Sequence, residues 1–365
     1  MTDAGSDDRQ EKFSGTKDVA EAYRFDVKKL EAYLAGRIPG FMTPLEVRQF
    51  KGGQSNPTYQ LITPNRKYVL RRKPPGKLLP SAHAVDREYR VIAALHPTGF
   101  PVAKPYLLCE DETVIGTMFY VMDCVEGRIY WDPLLPDCSP GERTAIYEAM
   151  NKTLARLHLL DYEKLGLSDY GKPGAYIARQ ISRWTKQYQL SETETIPEMN
   201  KLIEWLPAHL PPEGRPSIVH GDYRLDNMVL HPTEPKVLAV LDWELGTIGD
   251  PMADFTFHLM QWQMPPGGTS GGTGSLLGAD LKVLGIPSME EYVALYCRNT
   301  GRTTVPNMDY YAAYNFFRLA GILQGIVGRV RDGTAANANA TRNADAVRPL
   351  AERAWYFAQR AGAVG

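Results

Sequence analysis

Ten consecutive residues, Ile218-Val219-His220-Gly221-Asp222-Tyr223-Arg224-Leu225-Asp226-Asn227, and their answer at Leu241-Asp242-Trp243-Glu244, constrain this chain more than any other stretch. Ile218 and Val219 bring the backbone out of an apolar interior, and a polar loop follows. Met228-Val229-Leu230 then reads as a short strand. His231 to Lys236 contains two prolines, which cannot continue a ladder and so mark a turn. Val237 to Leu241 is rich in β-formers and returns as the partner strand. In such a hairpin Asn227 enters the first strand and Asp242 leaves the second, so both lie at its open end. The spacing therefore predicts that Asp222, Asn227 and Asp242 converge, although Asp222 and Asp242 are twenty positions apart.

That trio suits phosphoryl transfer with Mg²⁺. Magnesium prefers oxygen ligands, few of them from protein and the rest from phosphate and water. Asn227 and Asp242 supply one neutral and one anionic oxygen, and Asp222 is left to take or orient the proton of an attacking hydroxyl. The spacing fits the D-x-x-x-x-N loop and later metal-binding Asp of kinases. His220-Gly221-Asp222…Asn227 and Asp242-Trp243-Glu244 resemble the motifs of the aminoglycoside phosphotransferase family. The run from Gly221 to Phe255 is similar to the phosphotransferase domain that occurs fused to acyl-CoA dehydrogenases. The resemblance spans roughly Val47 to Leu259. It implies a protein-kinase-like, two-lobed α+β fold, with His220 and Asp222 as catalytic residues, Asn227 and Asp242 as metal ligands, and Asp254 accepting N–H groups of the loop from below.

Upstream, Lys51-Gly52-Gly53-Gln54-Ser55 stands between two predicted strands, Leu45 to Phe50 and Tyr59 to Ile62. A Gly-rich turn there would cover nucleotide phosphates with backbone N–H groups, which makes Gly52, Gly53 and Ser55 candidate nucleotide contacts. Lys67 to Lys73 reads as the third strand, ending in cations. Arg71 stands where the family usually has its phosphate-binding Lys, but Lys73 shares that strand face, so either could take the role. On the helix from Asp86 to Leu95, Glu88 is the expected partner of the cation; Asp86 points about 200° away on a helical wheel. Pro101 to Leu108 and Val114 to Met122 read as further strands. Asp123-Cys124-Val125-Glu126-Gly127 would then be an inter-lobe hinge, with Asp123 and Cys124 beside the purine of ATP or GTP.

Other helices are predicted over Val19 to Leu34, from Ser139 as N-cap through Leu157, over Tyr176 to Leu190, Pro197 to Leu206 and Asp309 to Val330. In the last, Phe316, Leu319, Ile322, Leu323, Ile326 and Val327 are expected to face inward, and Gly321, Gly325 and Gly328 suggest close packing. His158 reads as a packed structural histidine. Six glycines between Pro265 and Gly278 suggest a mobile loop.

The division expected is a disordered tail at 1–18, an N-lobe at 19–122, a hinge at 123–128 and a helical C-lobe at 129–365. With 44% hydrophobic residues and a formal net charge of −1, bulk electrostatics favour neither nucleic acid nor membrane as a partner. The four cysteines, Cys109, Cys124, Cys138 and Cys297, have no metal or redox spacing, which suits a reducing cytoplasm. No apolar run approaches the roughly twenty residues of a membrane span. Oligomeric state is left open. The acceptor is expected to be a small-molecule hydroxyl. From Arg298 onward nine Arg and four acids leave a local balance of +5, which reads either as solvated helix faces or as some of Arg318, Arg329 and Arg331 at the cleft mouth favouring an anionic acceptor; the resemblance to domains fused with acyl-CoA dehydrogenases implies a CoA-linked hydroxy compound. The alternatives are an aminoglycoside-type antibiotic kinase, a protein kinase and a non-catalytic kinase-fold scaffold. A protein kinase fits less well, because Asp250-Pro251 follows Asp242 within eight residues and leaves no activation segment.

Overall fold

Tyr59, Leu61, Tyr68, Leu70, Phe119 and Val121 alternate with polar or less buried neighbours along three strands, and their common face is the core of an antiparallel sheet. The computed structural model describes residues 14–51, 56–75, 83–265, 274–332 and 340–364. Its main sheet contains β1 (Thr16–Lys17), β2 (Glu46–Phe50), β3 (Thr58–Ile62), β4 (Lys67–Arg72), β5 (Pro105–Cys109) and β6 (Phe119–Asp123), in the order β1-β2-β3-β4-β6-β5. Four shorter strands follow: β7 (Ser217–Val219), β8 (Met228–Leu230), β9 (Val237–Val240) and β10 (Thr247–Gly249). β8 pairs with β9 and β7 with β10, both antiparallel.

The described residues fall into two units. The first holds the main sheet, helices α1 (Val27–Ala35) and α2 (Val85–Leu95), residues up to Trp131, Leu165–Leu167 and the hairpin from Asn227 to Gly246. The hairpin groups with the sheet, whereas the sequence division assigned it to the helical part. Two boundaries also differ from the sequence reading. Thr16–Lys17 is not tail but an edge strand, paired with Phe50 and Gln49. The helix predicted from Val19 is a short 3-10 turn, Glu21–Tyr23, and the α-helix starts only at Val27. Asp26 stops the turn from running on: its carboxylate accepts the Lys29 N–H at 3.0 Å, which makes it an N-cap with extended backbone. Leu30 and Leu34, one turn apart, then bury fully against the sheet.

The second unit is mainly helical: α3 (Pro140–Leu159), α4 (Tyr176–Ser191), α5 (Pro197–Ala208), α6 (Pro251–His258), α7 (Leu281–Leu284), α8 (Met289–Thr300), α9 (Met308–Arg331) and α10 (Ala340–Arg360). Ser139 caps α3 as expected, accepting the Glu142 N–H. α9 is packed on two sides, by α4 and α10. Its inward face is therefore wider than the apolar stripe suggested: Phe316 and Leu323 are buried, but Leu319, Ile322, Ile326 and Val327 only partly so, and Tyr314, Phe317 and Arg318 are buried instead. The glycines do mark close approach. A Cβ on Gly328 would lie 2.5 Å from the Ser191 Cβ of α4, and one on Gly325 would collide with the Gln187 amide. No described helix is long and apolar enough to cross a membrane.

Candidate active site

In the first unit the site is built on strand alternation at the end of β4. Arg71 and Arg72 are adjacent and so point to opposite faces. Arg72 turns to the carbonyls of Ile115 (3.0 Å) and Tyr23 (3.2 Å). Arg71 turns to the carboxylates: its Nε lies 2.9 Å from Glu88 Oε2, its Nη2 2.8 Å from Asp242 Oδ1 and 3.8 Å from Glu244 Oε2. Glu88 is 1% exposed and also accepts from Asn56 Nδ2 (2.8 Å) and the Tyr120 hydroxyl (3.1 Å), so all of its contacts reward the anion. Asp86 points elsewhere, as the helical wheel requires; Lys73 Nζ lies 3.9 Å from it. The two candidate cations are thereby separated: Arg71 is buried among acids, and Lys73 is at the rim.

One guanidinium faces three carboxylates here. Burial opposes the charge on Arg71, but Glu88 and Asp242 outweigh it and raise its pKa further. Burial also pushes Glu88 up, to about 7, with Arg71 opposing and Asp242 and Glu244 adding to the rise. Asp242 and Glu244 contribute to both rises, a crowding of negative charge that a further cation would relieve. Asn227 and Asp242 stand at the open end of the hairpin. Met228 pairs with Val240, and the Leu241 N–H donates to the Asn227 carbonyl at 2.8 Å. Asp242 keeps 38% of its side chain exposed, with its backbone in the left-handed region at φ 61°. An amide oxygen and a partly exposed carboxylate beside surplus negative charge fit a hard divalent cation. Among the described residues no group of three or more His, Cys, Asp and Glu forms a metal cage.

At the end of β6, Asp123 accepts from the Tyr106 hydroxyl at 2.6 Å. Cys124 is half-buried; its N–H bonds the Lys67 carbonyl, and its sulfur takes the Gln60 amide at 3.5 Å. Gly52, Gly53 and Ser55 lie outside the described residues, as does most of the Pro265–Gly278 stretch.

In the second unit the loop from His220 is fixed through its backbone. Asp254, 3% exposed at the start of α6, accepts the His220 N–H at 2.7 Å and the Gly221 N–H at 2.8 Å. Burial works against its charge, but His158 and the loop N–H groups outweigh that and hold Asp254 below the usual carboxylate range. Gly221 has φ 81°, a conformation that favours glycine, and its carbonyl accepts from Arg318 Nη2 at 2.7 Å. The Asp222 N–H donates to His220 Nδ1 at 3.2 Å. Arg224 then lies 3.0 Å from Asp222 Oδ1 and 3.2 Å from Asp226 Oδ2, orienting a carboxylate that remains 25% exposed.

His220 is fully buried, and its Nδ1 accepts the Asp222 N–H. One expectation changes. Arg318 is not at a cleft mouth. It is 6% exposed beneath the loop, with its guanidinium 4.9 Å from the Phe257 ring centre. Other arginines of the basic C-terminal stretch have local partners: Arg331 with Asp332, Arg348 with Glu194 and Arg360 with Asp309. His158 is packed as read, yet it also bonds Asp254 at 3.2 Å, a link that only its position at the end of α3 could have hinted at.

A family model described as the phosphotransferase enzyme family matches residues 46–291. The chain belongs to this family. It is 45% identical over 348 residues to acyl-CoA dehydrogenase family member 10 of Mus musculus, covering 95% of this chain but 32% of that one; the chain thus spans about a third of that relative. A crystal structure from Ralstonia eutropha, provisionally assigned as an aminoglycoside phosphotransferase, is 53% identical with TM-score 0.84, covering 92% of this chain and 99% of that one. Choline kinase from Cryptosporidium parvum shares the fold at 10% identity and TM-score 0.63, covering 92% and 97% of the two chains. The fold is kinase-like, with an antiparallel N-terminal sheet and a largely helical remainder.

Proposed function

We propose that this phosphotransferase moves the γ-phosphoryl group of ATP or GTP to a hydroxyl of a small molecule, with Mg²⁺. The observation that carries the reading is the presentation of Asp222: the flanking backbone is held by Asp254 and Arg318, and the carboxylate itself stays partly exposed and is aimed by Arg224. Asp222 accepts the proton of the acceptor hydroxyl while the new O–P bond forms. The bond between the γ-phosphorus and the bridging oxygen breaks, and the nucleoside diphosphate leaves with its electron pair. Asn227 and Asp242 are the residues that would hold Mg²⁺, which when bound neutralises phosphate charge. Arg71, kept charged by Glu88, offers its remaining N–H groups to the phosphates, and Gly52, Gly53 and Ser55 are the candidate cover for them. Asp123 and Cys124 are the candidate neighbours of the base. Positioning and charge complementarity supply most of the barrier reduction.

For the acceptor we favour a CoA-linked or otherwise anionic hydroxy compound. The support is similarity to a relative named as an acyl-CoA dehydrogenase family member, with the burial of Arg318 removing one of the arginines first counted towards it. A second reading, an aminoglycoside acceptor, draws on the 53% identical relative. The test is nucleotide consumption with Mg²⁺ against hydroxyacyl-CoA esters and aminoglycosides, in the wild type and in Asp222→Asn. Acceptor-dependent turnover that falls by roughly 10²–10⁴ in the variant is expected. Turnover unchanged by Asp222→Asn would remove the assigned base, and preference for an aminoglycoside would reverse the ranking of acceptors.

A further inference from the structure

Helix α8 is linked to the Asp222 loop through two histidines. Tyr292 and Tyr296 are one turn apart on its buried face, and both are fully buried. The Tyr292 hydroxyl lies 2.8 Å from His258 Nε2, and His258 Nδ1 lies 3.1 Å from the Tyr223 carbonyl. The Tyr296 hydroxyl lies 2.7 Å from His158 Nδ1, and His158 Nε2 lies 3.2 Å from Asp254 Oδ2. Asp254 holds the N–H groups of His220 and Gly221, and Tyr223 follows Asp222 directly. The two chains therefore end on either side of Asp222.

Proton placement follows from the acceptors. A carbonyl only accepts, so His258 must carry its proton on Nδ1 and take the Tyr292 O–H at Nε2. The Asp254 carboxylate also only accepts, so His158 carries a proton on Nε2, with the Tyr296 hydroxyl as the partner of Nδ1. The aromatic packing fixes both hydroxyls. Phe255, next to Asp254 in α6, stacks on Tyr296 with ring centres 3.8 Å apart and lies parallel to Tyr292 at 6.3 Å.

We infer that Tyr292 and Tyr296 are positioning residues for phosphoryl transfer, fixing the orientation of the His258 and His158 rings, whose N–H groups hold the loop around Asp222. The inference rests on the reading of that loop as catalytic, but its first test does not need turnover. Tyr292→Phe keeps the ring and removes one hydroxyl. His258 Nε2 then has no donor to hold it, and the ring is released to swing its Nδ1–H away from the Tyr223 carbonyl.

The experiment uses the full chain with ¹⁵N-labelled histidine, together with backbone amide resonances of Gly221 and Asp222. The wild type should show His258 protonated at Nδ1. Tyr292→Phe should change the His258 Nε2 resonance, which loses its donor, and shift both loop amides. Adding His258→Asn, whose amide N–H occupies the Nδ1 position and always donates, should return the amides towards their wild-type positions. In slow hydrolysis of Mg·ATP with water as acceptor, Tyr292→Phe should lower kcat about ten-fold with KM for ATP nearly unchanged, and the double variant should recover most of the loss. An Nε2 proton on wild-type His258, or loop amides and kcat that do not move in Tyr292→Phe, would overturn the inference. A wild type without any nucleotide turnover would count against the phosphotransferase reading, while the tautomer and the amide shifts would still decide the coupling.

Discussion

Arg71 Nη2 stands 2.8 Å from Asp242 Oδ1, across 171 positions of chain. Its Nε meanwhile lies 2.9 Å from Glu88 Oε2. Only a forked, planar cation can serve both carboxylates from one position. Arg71→Lys should therefore keep the charge, lose one of the two contacts and raise the nucleotide KM several-fold. Lys73→Met, which removes an ammonium at the rim 3.9 Å from Asp86, should leave KM within about two-fold. Arg71→Met strands the buried Glu88, and on the scale of a broken buried ion pair it should cost about 3–5 kcal/mol in denaturant unfolding. Steady-state kinetics showing the opposite ranking of Arg71→Lys and Lys73→Met would move the phosphate role to Lys73.

Removing one negative charge from the metal-ligand pair should matter more than removing a neutral ligand. Asp242→Asn retains a residue that tolerates the left-handed backbone and should weaken Mg²⁺-dependent ATP binding strongly. Asn227→Ala should weaken it less. Calorimetry with and without a chelator reads both, and equal Mg·ATP affinity in wild type and Asp242→Asn would exclude Asp242 as a ligand.

Asp254 uses both of its oxygens on loop N–H groups. In Asp254→Asn one oxygen becomes an NH₂ group, so one of the buried N–H groups of His220 or Gly221 loses its acceptor. The expected loss is about 1–3 kcal/mol, read from the urea midpoint, together with a lower kcat. A variant as stable and as active as wild type would show that these bonds do not fix the loop.

Burial pushes His258 down to about 4, opposed by its bond to the Tyr223 carbonyl and by Asp254. An unfolded histidine titrates near 6.5, so the unfolded chain binds the extra proton between these values. The contribution is fully present above about 6.5 and is lost as pH falls towards 4, up to roughly 3 kcal/mol. Urea midpoints at pH 7 and pH 5 should differ more in the wild type than in His258→Asn. An identical pH dependence in both would remove His258 as its source.

The sequence carried the parts of the site that are local or periodic. Asn227 and Asp242 could be placed at one end of a hairpin because a hairpin fixes where its ends go, and Glu88 could be preferred to Asp86 because a helix fixes angles. Arg318, His158 and His258 could not be read in this way. Each reaches the loop from a helix distant in sequence, and each sits where an apolar stripe would lead one to expect plain packing. The formal charge of the C-terminal arginines was real, but formal charge does not say which guanidinium is exposed and which one holds a backbone carbonyl. The start of α1 escapes hydrophobic periodicity because an N-cap aspartate within a run of helix-formers is a competing hydrogen bond.

Asp242 carries its carboxylate on a backbone that L-residues avoid, with φ 61° and ψ 64°. The strain is on the order of 1 kcal/mol, and the carboxylate adds to the crowding of anions around Arg71. Asp242→Gly should therefore unfold at a higher denaturant concentration than the wild type while losing phosphoryl transfer; a lower midpoint would show that the Arg71 contact outweighs both penalties. On this view, drift at position 242 has a direction. A duplicated copy of this chain released from its chemistry would become sturdier by shedding the aspartate.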